Sequence, residues 1–160
     1  GDLYYNITGN NTVEVASADA NIVSANIPSS VTHNGTTYSV TGVHESAFKA
    51  CKYLTTAVIP NSVTSVGASV FNGCSALESV VLSNNITALP STSGRVPLGF
   101  FQNCKALKSI VIPNSVKTIG KNAFSSCTAL ATITIGTGVT EIGDNAMKYC
   151  IFAQKLRLYE

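Results

Sequence analysis

The residues best able to do chemistry are five cysteines, Cys51, Cys74, Cys104, Cys127 and Cys150, and their spacing decides which chemistry is open to them. Successive cysteines are 23, 30, 23 and 23 residues apart. That spacing contains no C-x-x-C pair, and His33 and His44 are out of step with it, so the ligand pattern of a zinc site is missing. Five is an odd number for disulfides. Side chains that point the same way from parallel neighbours are also poorly aimed for the S–S torsion. The cysteines therefore read as a column of buried free thiols about 5 Å apart, filling space as small apolar groups. Nucleophilic catalysis needs a base beside the nucleophile and a third group that orients the base. No G-x-S-x-G elbow is present, and a structural or surface role is favoured for both histidines. The eight acids are scattered without a spaced pair for glycoside cleavage, and glycines occur singly, so no loop cradles phosphate. No catalytic residue, metal ligand or cofactor is assigned.

The cysteine spacing belongs to a longer pattern. In Ala123 to Gly143 an aromatic at Phe124 is followed by Cys127, Leu130, Ile133, Ile135, Val139, Ile142 and Gly143. The same skeleton starts at Phe48, Phe71 and Phe101, and a frayed copy has Met147, Cys150, Leu156 and Leu158. The steps are 23 residues except for 30 between Phe71 and Phe101. A fixed period of this length marks stacked units, each too small to bury its apolar side alone. Leu130-x-x-Ile133-x-Ile135 is an L-x-x-L-x-L segment, which predicts a short strand paired with its equivalent in the next unit. Pro60 and Pro113 close that strand where no amide donor is needed. Phe, Cys and Leu three apart suit one helical or 3₁₀ turn, and Gly67, Gly120 and Gly143 stand at bends where φ could be positive. Residues 2–42 depart from the period. They contain two strands around Gly9-Asn10-Asn11, then Ile27-Pro28-Ser29-Ser30-Val31, then an Asn34-Gly35 pair that calls for a tight hairpin turn. The expectation is an α/β, β-rich, right-handed solenoid occupying residues 1–160 as one domain. It has an N-terminal β cap over 2–42, about five 23-residue coils over 43–160, and an insertion at about 90–97.

The run from Ile112-Pro113-Asn114-Ser115-Val116 through Ile119-Gly120 to Ala123-Phe124-Ser125-Ser126-Cys127 resembles the BspA-type leucine-rich repeat, written IP-x-SV-x-x-IG-x-x-AF-x-x-C. The resemblance covers about residues 44–150, and the segment before it is similar to the caps of secreted members of that family. It implies a cell-surface or secreted protein of a bacterium or protist that binds other proteins or cells. It implies no active site, because the motif residues are core residues. Departures fall late: Gly136-Thr137-Gly138 replaces Pro-x-Ser, Met147 replaces Phe, and Ile151-Phe152-Ala153 loses the leucine register, as expected of an end where stacking stops.

What remains for function is the outward side of the strands. Alternation places Thr56 and Val58, Ser79 and Val81, Ser109 and Val111, Thr132 and Thr134, then Lys155 and Arg157, on a concave face. That strip reads equally well as good sheet filling or as a recognition surface. The insertion, Pro90 to Pro97, reads as a tolerated surface loop before a contact loop. Net charge is +2 with only 11% charged residues, too weak a field for nucleic acid. No apolar run is long enough to span a bilayer. The chain opens with Gly1-Asp2 and no methionine, which reads as a processed or engineered start with an export signal removed, and the expected location is extracellular or cell-surface. The favoured function is a monomeric, non-enzymatic protein-binding or adhesion module whose partner is a host matrix protein or another cell surface. The alternative is a structural spacer whose functional element lies outside this chain.

Overall fold

A computed structural model describes residues 1–151 of the 160-residue chain. Its thirteen elements are all strands: β1 (Leu3–Gly9), β2 (Thr12–Ala18), β3 (Ser24–Asn26), β4 (Ser30–His33), β5 (Thr36–Val43), β6 (Thr56–Val58), β7 (Ser65–Val66), β8 (Ser79–Val81), β9 (Ala88–Leu89), β10 (Ser109–Ile112), β11 (Thr118–Ile119), β12 (Thr132–Ile135) and β13 (Glu141–Ile142). β1 and β2 form an antiparallel hairpin, as do β4 and β5, and β2 lies parallel to β5, which in turn pairs β7. Asn34 and Gly35, at the tip of the second hairpin, have φ of 49° and 76°, the two left-handed positions that a type I′ turn requires. Beyond this sheet every pairing is parallel and joins equivalent strands of neighbouring repeats: β3-β6-β8, β10-β12 and β9-β11-β13.

The core is assembled by repetition. Phe48, Phe71, Phe101 and Phe124 are fully buried and stack with ring centroids 5.3, 5.4 and 5.3 Å apart. Phe100 packs edge-on against Phe71 and Phe101 at 5.9 and 4.9 Å. Each ring contributes the burial of a large apolar side chain, and each stacked or edge-on pair adds about 0.5–1.5 kcal/mol. Leu54, Leu77, Leu107 and Leu130 line the same interior.

The segments that carry these rings depart from the helical half of the α/β expectation. Around Phe48 the amides of Ser46, Phe48 and Ala50 donate to Ala68, Val70 and Asn72 of the next repeat. Those of Ala47, Lys49 and Cys51 bond three residues back, to His44, Ser46 and Phe48. A helix needs every amide for its own turn, and here every second one is taken by a neighbour. Positive φ two residues before and two after the buried side chain closes off helix propagation at Phe48 (Ser46 and Ala50), Phe71 (Ser69 and Gly73), Phe124 (Asn122 and Ser126) and Met147 (Asn145 and Tyr149), and at Phe101 it falls on Asn103 alone. The bend glycines are corrected too. Gly67, Gly120 and Gly143 are not among the residues with positive φ. A Cβ at Gly67 would lie 2.3 Å from the Glu45 nitrogen, and one at Gly120 would lie 2.8 Å from the Leu89 oxygen, so close approach between repeats is what demands glycine.

Candidate functional site

Strand alternation puts Thr56, Ser79, Ser109 and Thr132 in one exposed row and Val58, Val81, Val111 and Thr134 in another. Within each paired set the register is direct: Thr56↔Ser79 and Val58↔Val81, then Ser109↔Thr132 and Val111↔Thr134. Ser24 continues the first row and its hydroxyl meets that of Thr56 at 3.0 Å. Val58, Val81 and Val111 are 37, 56 and 63% exposed, and Glu78 and Lys108, which precede β8 and β10, form an ion pair at 3.0 Å. Lys155 and Arg157, which would end the two rows, lie outside the described residues, as do Phe152-Ala153, Leu156 and Leu158.

The rows are interrupted once. β8 and β10 are not hydrogen-bonded to each other, and a slot of about 290 Å³ opens between them. The interruption falls at the repeat lengthened by the 90–97 insertion. That loop holds itself by bonds from the Thr92 amide to Leu98 O and from the Leu98 amide to Thr92 Oγ1, and it is tied to the next repeat by Asn122 Nδ2 donating to Pro97 O at 2.8 Å. Its other side overhangs a cleft of about 470 Å³ with Thr118, Lys121 and Glu141 in its wall. A further recess of about 560 Å³, on the N-terminal sheet, is lined by Leu3, Tyr5, Ile7, Val13, Val31 and Tyr38 with His33 beside them. Burial there raises the Tyr5 hydroxyl above its ordinary value. Sequence reading found neither recess, because each is walled by separate segments whose packing against one another leaves no local periodicity.

The thiols are buried and hydrogen-bonded. Cys74, Cys104, Cys127 and Cys150 donate S–H to the carbonyls of Phe48, Phe71, Phe101 and Phe124 at 3.0, 3.2, 3.1 and 3.1 Å. Cys51 reaches Asp19 O at 3.8 Å. Burial pushes Cys74 and Cys127 up to about 12 and Cys150 to about 11, and it raises Cys51 and Cys104 as well. At neutral pH these sulfurs are protonated donors and poor nucleophiles. His33 Nε2 lies 3.1 Å from Asn34 Nδ2, and His44 Nδ1 lies 3.0 Å from the Glu45 carbonyl.

A second set of side chains bridges repeats and escaped sequence reading. Asn61 Oδ1 accepts the Asn84 amide at 2.8 Å, Asn61 O accepts Asn85 Nδ2 at 2.6 Å, and Asn114 Oδ1 accepts the Thr137 amide at 2.9 Å. The signal was there, since Asn61, Asn84 and Asn114 recur 23 and 30 residues apart.

A family model for the BspA type leucine-rich repeat region (6 copies) matches residues 94–160. A comparison with curated protein sequences gives no match. Among solved structures, a leucine-rich repeat protein of T. pallidum aligns with a TM-score of 0.77 at 26% identity, covering 91% of this chain and 64% of that one. One from Bacteroides capillosus aligns with a TM-score of 0.68 at 33% identity, covering 82% of this chain and 91% of that one. A leucine rich cell surface protein from Faecalibacterium prausnitzii shares the fold, with a TM-score of 0.62 at 24% identity over 91% of this chain and 44% of that one. The chain thus spans less than two thirds of the T. pallidum and Faecalibacterium chains. No helix among the described residues is long and apolar enough to cross a membrane. With its 23-residue period, stacked phenylalanines and parallel strand columns, this β-rich chain belongs to the BspA-type leucine-rich repeat family.

Proposed function

We propose that the chain is a non-enzymatic, exported protein-binding or adhesion module that presents the outward strand face of a right-handed solenoid to a protein partner. In this reading residues 2–42 cap the N-terminal end, residues 43–160 supply about five coils, and the strand face is concave. The observation that carries it is the exposed valine row, Val58, Val81 and Val111, flanked by hydroxyls and free of net charge. Such a strip costs little to dehydrate, and polar residues along its side can hold register with a partner. It lacks aromatic anchors, which points to contact spread over several repeats rather than concentrated in one pocket. A cell-surface setting is supported by the likeness to the Faecalibacterium leucine rich cell surface protein.

The test is adhesion of the purified chain to immobilised matrix proteins and to host cells, compared with a Val81→Asp, Val111→Asp variant. Two carboxylates on the dry centre of an interface are expected to weaken binding by about 10- to 100-fold or more, while far-UV circular dichroism and the melting temperature stay near those of the parent. A second reading, a spacer whose binding element lies in another part of a longer protein, is favoured by the part of the T. pallidum and Faecalibacterium chains left uncovered. It wins if the variant binds every partner as well as the parent does.

A further inference from the structure

We infer that the Arg95–Val96 bond is a processing site for a trypsin-like serine protease, the one place among the described residues where such an enzyme cuts the folded chain, and that the cut chain stays assembled. The exported setting proposed above is where the chain meets such an enzyme, whereas the accessibility of the bond rests on the fold alone. Arg95 sits at the tip of the insertion with Ser93, Gly94 and Val96, all four exposed. Val96 is 75% exposed, and Gly94 has a φ of 117° with nothing within 4 Å of where a Cβ would stand. Clefts of about 470 and 290 Å³ open beside Ser91–Gly94 and beside Arg95–Pro97, so the tip stands off the repeats.

A protease takes its substrate as an extended segment, which must first give up its own backbone bonds. Among the described residues, no backbone group from Ser93 to Pro97 bonds to another backbone group. The loop is closed only at its base, by Thr92 N donating to Leu98 O at 3.0 Å and Leu98 N to Thr92 Oγ1 at 2.8 Å, while Pro97 O accepts the Asn122 side chain. The described lysines are held otherwise. Lys117 N donates to Thr87 O, and the carbonyls of Lys108, Lys117 and Lys148 accept the amides of Ala131, Thr140 and Ser126. After Lys49 and Lys121 the next amides, of Ala50 and Asn122, bond to Asn72 and Asp144 of the neighbouring repeat. Lys52 and Lys105 each lie in a turn pinned by a buried cysteine and leucine, Cys51 and Leu54 or Cys104 and Leu107. Cutting after a lysine therefore requires a repeat to unstack, whereas cutting at Arg95 requires a loop tip to open, and cleavage follows the population of the open form.

The Arg95 guanidinium suits the carboxylate at the base of such an enzyme's specificity pocket. Pro97 lies one residue beyond Val96, so the bond to be cut is an ordinary secondary amide. The enzyme's serine attacks the Arg95 carbonyl carbon, the C–N bond to Val96 breaks, and Val96 leaves as an amine carrying the proton that the enzyme's histidine took from the serine. Water then releases Arg95 as a carboxylate. The two pieces keep what joins them. Phe71 stacks on Phe101 at 5.4 Å and meets Phe100 edge-on at 5.9 Å, Phe71 N donates to Phe100 O and Gly73 N to Gln102 O. Cys104 Sγ donates to Phe71 O, and Ala88 and Leu89 of β9 pair with Thr118 and Ile119 of β11. All of these bonds cross from one side of the cut to the other, and none passes through the loop tip.

Limited digestion of the purified chain with trypsin under native conditions, followed by intact mass measurement and size exclusion, tests both parts. The expected first internal products are residues 1–95 and a piece that begins at Val96 and ends at 160 or, where the terminus is trimmed, at 157 or 155. They elute together at the parent's volume and separate in denaturant. Arg95→Gln should survive trypsin at least about tenfold longer, while subtilisin, which needs no basic residue, still makes its first cut in that variant between Ser93 and Pro97. A first internal cut after any lysine from Lys49 to Lys148 overturns the proposal. So does an Arg95→Gln chain lost to trypsin at the parent's rate, a first subtilisin cut outside the loop, or a pair of pieces that elute apart without denaturant. The strand-face reading is judged apart from this, by the adhesion of the Val81→Asp, Val111→Asp variant.

Discussion

A hydroxyl would make a stronger hydrogen bond than the thiol at positions 74, 104, 127 and 150, yet burying it in a phenylalanine-lined interior would cost more. The carbonyl each sulfur reaches already accepts an amide from its own repeat, as Phe48 O does from Cys51 N at 3.1 Å, so a weak second donor suffices. The thiol also makes stability depend on pH in one direction. Burial lifts Cys74, Cys104 and Cys127 above the ordinary value of 9.0, the first and third to about 12. Above pH 9 the unfolded chain has lost these protons while the folded chain keeps them, so stability is fully present below about pH 9 and falls as pH rises towards the folded values. Each buried thiol steepens the fall by roughly 1 kcal/mol per pH unit in that window, and together they remove a few kcal/mol per unit. Urea midpoints measured from pH 7 to 11 should therefore hold level to about 9 and then drop steeply. Cys127→Ala should make the drop measurably shallower. A midpoint still level at pH 11 would mean that the sulfurs are hydrated.

Between one repeat and the next, fit depends on backbones that nearly touch. Gly120 N donates to Leu89 O at 2.8 Å, and a Cβ on Gly120 would sit 2.8 Å from that oxygen and from the Ser91 nitrogen. Gly120→Ala is expected to destabilise by about 1–3 kcal/mol, read by chemical denaturation, with the loss of exchange protection centred on β9 and β11. The same residue shows how far the chain can be read in advance. The strand columns were legible because Ile110, Ile112, Ile119 and their equivalents repeat a buried pattern, and apolar periodicity survives in sequence. The turns around the phenylalanines were not. Among their left-handed positions Gly73, Asn103, Asn122 and Asn145 suit that conformation, but Ser46, Ala50, Ser69, Ser126 and Tyr149 have little preference for it, and neighbouring repeats impose it by taking alternate amides. The outward rows at Thr56 to Thr134 could be placed from alternation alone. The slot that interrupts them could not, because a longer repeat shows where residues are added between β8 and β10 but not which strand bonds they leave unmade.

Across the whole molecule, each repeat is stable only while both of its faces are covered, and the N-terminal face of the first repeat is covered by residues that do not follow the period. Val13, Val15, Ile22, Ile27 and Val40 are buried in the same interior as Phe48 and Leu54. β3 pairs the open edge of β6, and the Ala18 amide bonds to Ala47 O. At roughly 1.5–3 kcal/mol for each large side chain, the five apolar residues contribute on the order of 10 kcal/mol, comparable with the entire net stability of a domain this size. Their removal would also leave β6 with an unpaired edge beside newly exposed Ala57 and Ile59, a template for intermolecular pairing. Expressed alone, residues 43–160 should therefore be insoluble or lack a cooperative thermal transition, whereas the full chain melts as one unit and sediments as a monomer. If the shorter chain is soluble and melts cooperatively near the parent temperature, residues 2–42 are an appendage, and the stacked repeats hold themselves together without a cap.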